Sequence, residues 1–171
     1  MEYIFHETQD GSLCAQHCLN SLLQGDYFSA VDLANIAHEL DRIELNCMSE
    51  AGTMTSDYQQ FLNQESNNYD DTGFFSIQVI QKALSSFNLE LIQFNSPNQI
   101  AVNARQYPTE QKAYICNFKH HWYAIRKLGN YWFNLNSMFK KPELISDTYL
   151  SVLLAQLQND GRFIFFIRYL K

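Results

Sequence analysis

Apolar residues change their spacing about halfway along this chain. Up to about residue 87 they recur at intervals of three and four, the signature of helices with one buried face, whereas beyond it they alternate or cluster in short blocks, as strands do. Ser12 is placed to cap a helix reaching Gly25. "SAVDLANIAHELD" opens at Ser29 with an S-x-x-D box and carries Leu33, Ile36, Ala37 and Leu40 at helical spacing. From Arg42 to Thr72 the pattern weakens, leaving a short helix near Thr55 to Leu62 and a polar loop, "NQESNNYDDTG", that is expected to project from the core. Ser76 starts another helix, through Phe87. "LELIQF", "AYICNF", "HWYAIRKL", "YWFNLNS" and "FIFFIRY" read as strands, with a helix from about Thr148 to Gln158 before the last. Helices first and a mostly antiparallel sheet afterwards make an α+β layout.

The first helix contains two cysteines and a histidine within five residues, "CAQHC". At 100° per residue Ala15, Cys18, Leu19, Leu22 and Leu23 form one apolar stripe, so Cys18 reads as a small buried hydrophobe. Cys14 sits at the stripe's edge beside His17 and Ser21, in the first turn, where free N–H groups and the helix dipole favour an anion. A thiol there is expected to drop from its usual value of about 8.5 into the range of roughly 3.5–7.5. Judged on the helix alone, an inert half-buried cysteine fits equally well. A zinc knuckle fits worse, because Cys14-x-x-His17-Cys18 has no second ligand pair of suitable spacing, and His120 and His121, adjacent on a predicted strand, point to opposite faces.

A nucleophilic thiol needs a base, and the predicted hairpin selects one. With Gly129-Asn130 as a two-residue turn, paired positions sum to 259, so Tyr123 lies opposite Asn136. His121 and Asn136 then share a face as diagonal neighbours, within reach of an imidazole-to-amide hydrogen bond. His120 falls on the other face, and Asn134 is on the right face one step farther away. Cys14, His121 and Asn136 thus combine nucleophile, base and orienting amide, the Cys-His-Asn arrangement of papain-like proteases. Gln9, five residues before Cys14, can offer a side-chain amide to the developing oxyanion beside the Cys14 backbone N–H.

Composition narrows the class of function. The 171 residues are 46% hydrophobic and 15% aromatic, enough for one substantial core and inconsistent with disordered or fibrous chains. Twelve Lys+Arg against eighteen Asp+Glu, net −6, argue against nucleic acid and for a protein or peptide partner. "MEYIFHETQDG" lacks the basic and apolar regions of a leader, and no apolar run approaches membrane-spanning length. The four cysteines are expected to be reduced thiols, in the cytoplasm and nucleus.

"IFHE", Gln9, "GSLCAQHCLN", "GDYFS", "DDTGFFSIQVI", "HW", "WFNLNS" and "PELISDTYL" together resemble the Josephin domain of the ataxin-3 family of deubiquitinating cysteine proteases, over nearly all of residues 1 to 170. The resemblance implies a papain-like α+β fold with a protruding helical hairpin, one catalytic domain over 1–171. It also implies hydrolysis of isopeptide or peptide bonds after the C-terminal glycine of ubiquitin through an acyl-enzyme thioester. The implied partners are ubiquitin and polyubiquitin chains, bound by a monomer with no cofactor and no metal. The family's nucleophile falls on Cys14, its base on His121, its orienting amide on Asn136 and its oxyanion donor on Gln9. Its ubiquitin contacts fall on Tyr27 and Phe28, and on Ile77 and Gln78 with the position of Phe87. Two departures stand out: Phe87-Asn88 replaces a frequent Trp-Gly, and the Pro97 to Glu110 loop is slightly longer. The alternatives are a ubiquitin-binding module of the same fold with little catalysis and a general cysteine peptidase.

Overall fold

Residues 3–70 and 73–170 are described by a computed structural model; Asp71 and Thr72, at the end of the polar loop, lie outside the described residues, as do Met1, Glu2 and Lys171. Helix α1 (Cys14–Leu23) turns Ala15, Cys18, Leu19 and Leu22 fully inward. Its N-cap is Leu13 and not the predicted Ser12, and it supplies no side-chain cap. Uncapped first-turn amides can turn to another acceptor, and those of Cys14 and Ala15 act on the Cys14 sulfur. The helix stops at Leu23, short of Gly25, because Gln24 takes a left-handed φ of 61° and its N–H turns back to the carbonyls of Asn20 and Ser21.

Helix α2 (Ala30–Glu50) begins with the capping box read from the sequence: Ser29 Oγ accepts from Asp32 N–H at 3.2 Å, and Asp32 Oδ2 accepts from Ser29 N–H at 2.8 Å. It runs eight residues past Arg42, where the apolar periodicity fades, reaching a length of about 31 Å. Only Leu33 and Ala37 are buried along it. Ala34, Ile36 and Leu40 pack on the core partly buried, and the helix beyond Leu40 pairs with α3 (Ser56–Leu62), which has no buried residue and packs back on α2. Asn68, fully buried, secures the base of this hairpin: its amide donates to Asp41 at 2.6 Å and Glu44 at 3.3 Å, and its oxygen accepts from Ser76 Oγ at 2.9 Å. Ser76 in turn caps α4 (Ile77–Ser85), whose Val79, Ile80, Ala83 and Leu84 are buried.

The sheet has six strands: β1 (Leu89–Gln93), β2 (Ala113–Phe118), β3 (His121–Leu128), β4 (Tyr131–Asn134), β5 (Glu143–Ile145) and β6 (Phe163–Tyr169). Their order is β1-β6-β2-β3-β4-β5 and every pairing is antiparallel. Alternation places Ile115, Trp122 and Ala124 against α1, α2 and α4 on one face. Tyr114, Cys116, Tyr123 and Ile125 face α6 (Asp147–Asn159) and α5 (Gln99–Gln106) on the other. Helix α5 occupies the segment read as a loop between Pro97 and Glu110, and β5 was likewise not anticipated.

Candidate active site

The hairpin joining β3 to β4 has the register inferred from its turn: Leu128 pairs with Tyr131 and Ile125 with Asn134, and Leu135 N–H continues the ladder to Ala124 O at 2.9 Å. His121, the first residue of β3, therefore meets Asn136, and its Nε2 lies 2.7 Å from Asn136 Oδ1. The same Oδ1 accepts from Met138 N–H at 3.1 Å. An atom receiving a backbone N–H is the amide oxygen, so Nε2 carries the ring proton and the neutral ring keeps its lone pair on Nδ1. Asn134, 9% exposed, braces this pair by accepting from Asn136 N–H at 3.2 Å. His120 is not on the strand. With Lys119 it forms the tight turn between β2 and β3, both residues left-handed at φ 47° and 64°, and its ring packs edge-on against Phe74 with centroids 5.1 Å apart.

Cys14 is the first residue of α1, and its thiol donates to the carbonyl of His120 at 3.6 Å. The left-handed turn thus aims a backbone oxygen at the Cys14 thiol one residue before His121; non-glycine residues in that conformation cost about 1–3 kcal/mol each and persist where packing enforces them. Cys14 is only 4% exposed. Burial pushes its thiol up, while backbone hydrogen bonds at Trp122, Ala15 and Cys14 itself pull the other way. The lowered thiol expected from helix position alone is therefore corrected: desolvation outweighs the amides of the uncapped helix start. Cys18 and Cys116 lie in the core and their thiols are also raised by burial, that of Cys116 to about 12.

Gln9 is held beside this pair by the loop that follows β4. Its N–H donates to Ser137 O at 2.7 Å, its side-chain oxygen accepts from Ser137 Oγ at 3.0 Å, and its amide nitrogen donates to Gly11 O. Ser137 carried no local signal in the sequence, because its partner is 128 residues away.

The remaining candidate residues form two surfaces. Tyr27 and Phe28 pack edge-on against Phe87, with centroids 5.1 and 5.9 Å apart. Buried Asn20 fixes their backbone by accepting from Tyr27 N–H at 3.1 Å and Phe28 N–H at 2.9 Å. Phe28 is buried, whereas Tyr27 and Phe87 are exposed. The predicted helix through Phe87 ends at Ser85, so Phe87 leaves the apolar stripe and sits at the rim. Ile77 and Gln78 instead line a mostly apolar groove with Leu40, Leu91 and Phe165. Ile77 and Phe165 extend it past Phe74 and Trp122 to His120, whose carbonyl meets the Cys14 thiol. Gly73, next to Phe74, packs closely on the chain before α1: at φ +84°, its hypothetical Cβ would stand 3.2 Å from the carbonyl oxygen of Ser12.

The knuckle residues have separate tasks, since Cys18 is buried and His17 Nδ1 bonds Glu7 Oε2 at 2.6 Å. Among the described residues no group of three or more His, Cys, Asp or Glu is arranged to hold a metal ion.

Residues 9–168 match the family described as Josephin. The chain is 58% identical over 168 residues to human "Ataxin-3", covering 98% of this chain and 46% of that protein. It is 53% identical over 168 residues to the human "Ataxin-3-like protein", covering 98% and 47%. Against the "Ataxin-3 homolog" of Caenorhabditis elegans it is 39% identical over 165 residues, covering 96% and 49%. The chain spans about half the length of these relatives.

Proposed function

The chain belongs to the Josephin family, and from that premise we propose that it is a cysteine-type deubiquitinase, hydrolysing the isopeptide or peptide bond after the C-terminal glycine of ubiquitin. The observation that carries this reading is the 2.7 Å bond from His121 Nε2 to Asn136 Oδ1 beside a helix-terminal thiol. That bond leaves Nδ1 as the base, and the raised thiol defines how the base is used. No standing thiolate is required. Nδ1 takes the thiol proton as sulfur attacks the carbonyl carbon, which couples ionisation to bond formation.

The negative charge that develops on the carbonyl oxygen is stabilised by the Cys14 N–H, unclaimed by any cap, and by the second N–H of the Gln9 amide. The imidazolium then returns its proton to the leaving nitrogen, the C–N bond breaks, and ubiquitin remains as a thioester on Cys14. Water, deprotonated by the same Nδ1, attacks the thioester; the carboxylate leaves and sulfur regains a proton from the ring. Asn136 keeps the ring oriented throughout.

Ubiquitin is the proposed partner, singly or in chains, with the protein acting as a monomer. Ile77 and Gln78 border the groove that runs toward His120, the residue whose carbonyl meets the Cys14 thiol, and suit the face next to the scissile tail. The exposed rings of Tyr27 and Phe87 suit a second contact, since aromatic side chains carry much interface energy. Ubiquitin bearing a C-terminal electrophile tests the reading: a covalent adduct with the folded protein is expected. Tight binding without an adduct would instead identify a ubiquitin-binding module, and cleavage of unrelated peptides a general peptidase.

A further inference from the structure

The N-terminal segment crosses the site and touches both of its halves. Phe5 N–H donates to Gln24 Oε1 at 3.0 Å and Phe5 O accepts from Gln24 Nε2 at 3.1 Å, which secures the segment to the end of α1. His6 Nε2 lies 2.8 Å from Phe139 O, on the loop that carries Asn136. Three residues farther on, Gln9 is bonded to Ser137 by backbone and side chain. Between these points Glu7 accepts from His17 Nδ1 at 2.6 Å, with His17 12% and Glu7 23% exposed at the side chain. His17 is one turn beyond Cys14 in α1, on the same edge of the helix.

We propose that Glu7 and His17 are positioning residues for the reaction: their bond ties the segment that carries Gln9 to the helix that carries Cys14, and so sets the distance between the two oxyanion donors. The catalytic part of the proposal rests on the deubiquitinase reading. Without the Glu7–His17 bond, the remaining helix-side anchor of the segment is Phe5 on Gln24, four residues before Gln9 and at the far end of α1 from Cys14, so Gln9 itself is located through Ser137 on the sheet side. The two donors must converge on one oxygen, and such convergence is lost with small displacements. The bond is short, shielded and formed by a carboxylate, the kind of hydrogen bond that holds geometry best.

The test is a double-mutant cycle on ubiquitin-substrate turnover, combined with amide exchange. Glu7→Ala and His17→Ala are each expected to lower kcat by about 10- to 10²-fold, up to the loss of one oxyanion donor, with KM little changed. Glu7→Gln, which keeps an acceptor oxygen, is expected to restore most of the rate. In a Gln9→Ala background, Glu7→Ala is expected to cost less than about 2-fold more, because the residue acts through Gln9. A full, additive loss in that background would overturn the proposal. Exchange supplies an arm independent of turnover. The Gln9 amide, bonded to Ser137 O, is expected to exchange faster in Glu7→Ala, while the Leu135 amide in the sheet is unchanged. Equal Gln9 exchange in the two proteins would overturn the strap even if the wild type failed to turn over ubiquitin, and that failure would separately sink the deubiquitinase reading.

Discussion

The thiol of Cys14 rests on the carbonyl of His120, 3.6 Å away and 106 residues distant in sequence. This contact joins the two halves of the site, helix and sheet. It also occupies the thiol proton with an acceptor that would repel a thiolate, which fits the upward push that burial gives the same group.

The pH dependence of alkylation follows from that push. A thiol raised above its ordinary value of about 8.5 is almost wholly protonated at neutral pH in the unliganded protein, and its reactivity grows as pH rises through the raised pKa. Iodoacetamide labelling followed by peptide mass spectrometry is expected to show Cys14 reacting far more slowly than exposed Cys47 near neutrality, with a rate still climbing above the ordinary thiol value. A plateau with a midpoint below about 7 would indicate a standing thiolate–imidazolium pair instead.

The two adjacent histidines are expected to separate cleanly. His121→Ala removes the proposed base and is expected to lower kcat by about 10²- to 10⁴-fold. His120→Ala keeps the carbonyl that faces the thiol and loses only the ring contact with Phe74, so turnover is expected to stay within about one order of magnitude, well short of the loss of a general base. Steady-state rates on one ubiquitin substrate decide it, and a reversal would remove His121 from the mechanism.

At Phe87, 36% exposed at the rim, a larger ring has room. Phe87→Trp is expected to raise ubiquitin affinity by roughly 2- to 10-fold, through aromatic contact worth about 0.5–1.5 kcal/mol, with Tm unchanged. Calorimetric binding and thermal melts on one preparation check both parts. A lower Tm with unchanged affinity would mean that the ring is core and that the aromatic cluster is no docking surface.

Much of the site was legible because it depends on short-range rules. A two-residue turn at Gly129-Asn130 determines which residues face one another seven positions away, and parity alone then distinguishes His121 from His120. The turn at Lys119-His120 was not legible, since it lacks the Asn-Gly or Asp-Gly that marks such a turn; the Phe118–His121 pair closes it and the His120 ring packs on Phe74. Helix α5 escaped notice because its buried residues are two alanines, Ala101 and Ala104, which give almost no apolar periodicity. β5 is only three residues long, and it lies at the sheet edge. The raised thiol was out of reach for another reason: helix position is local, whereas burial depends on the carbonyl and side chains brought by β3 and the loop at Phe74.

The most direct measurement maps the attachment point of a ubiquitin electrophile by proteolysis and mass spectrometry. The ubiquitin remnant is expected on Cys14 alone of the four cysteines, with no adduct in a folded Cys14→Ala variant and retained labelling in Cys18→Ala. A remnant on Cys18, Cys47 or Cys116, or an adduct that persists in Cys14→Ala, would contradict the assignment of Cys14 as nucleophile.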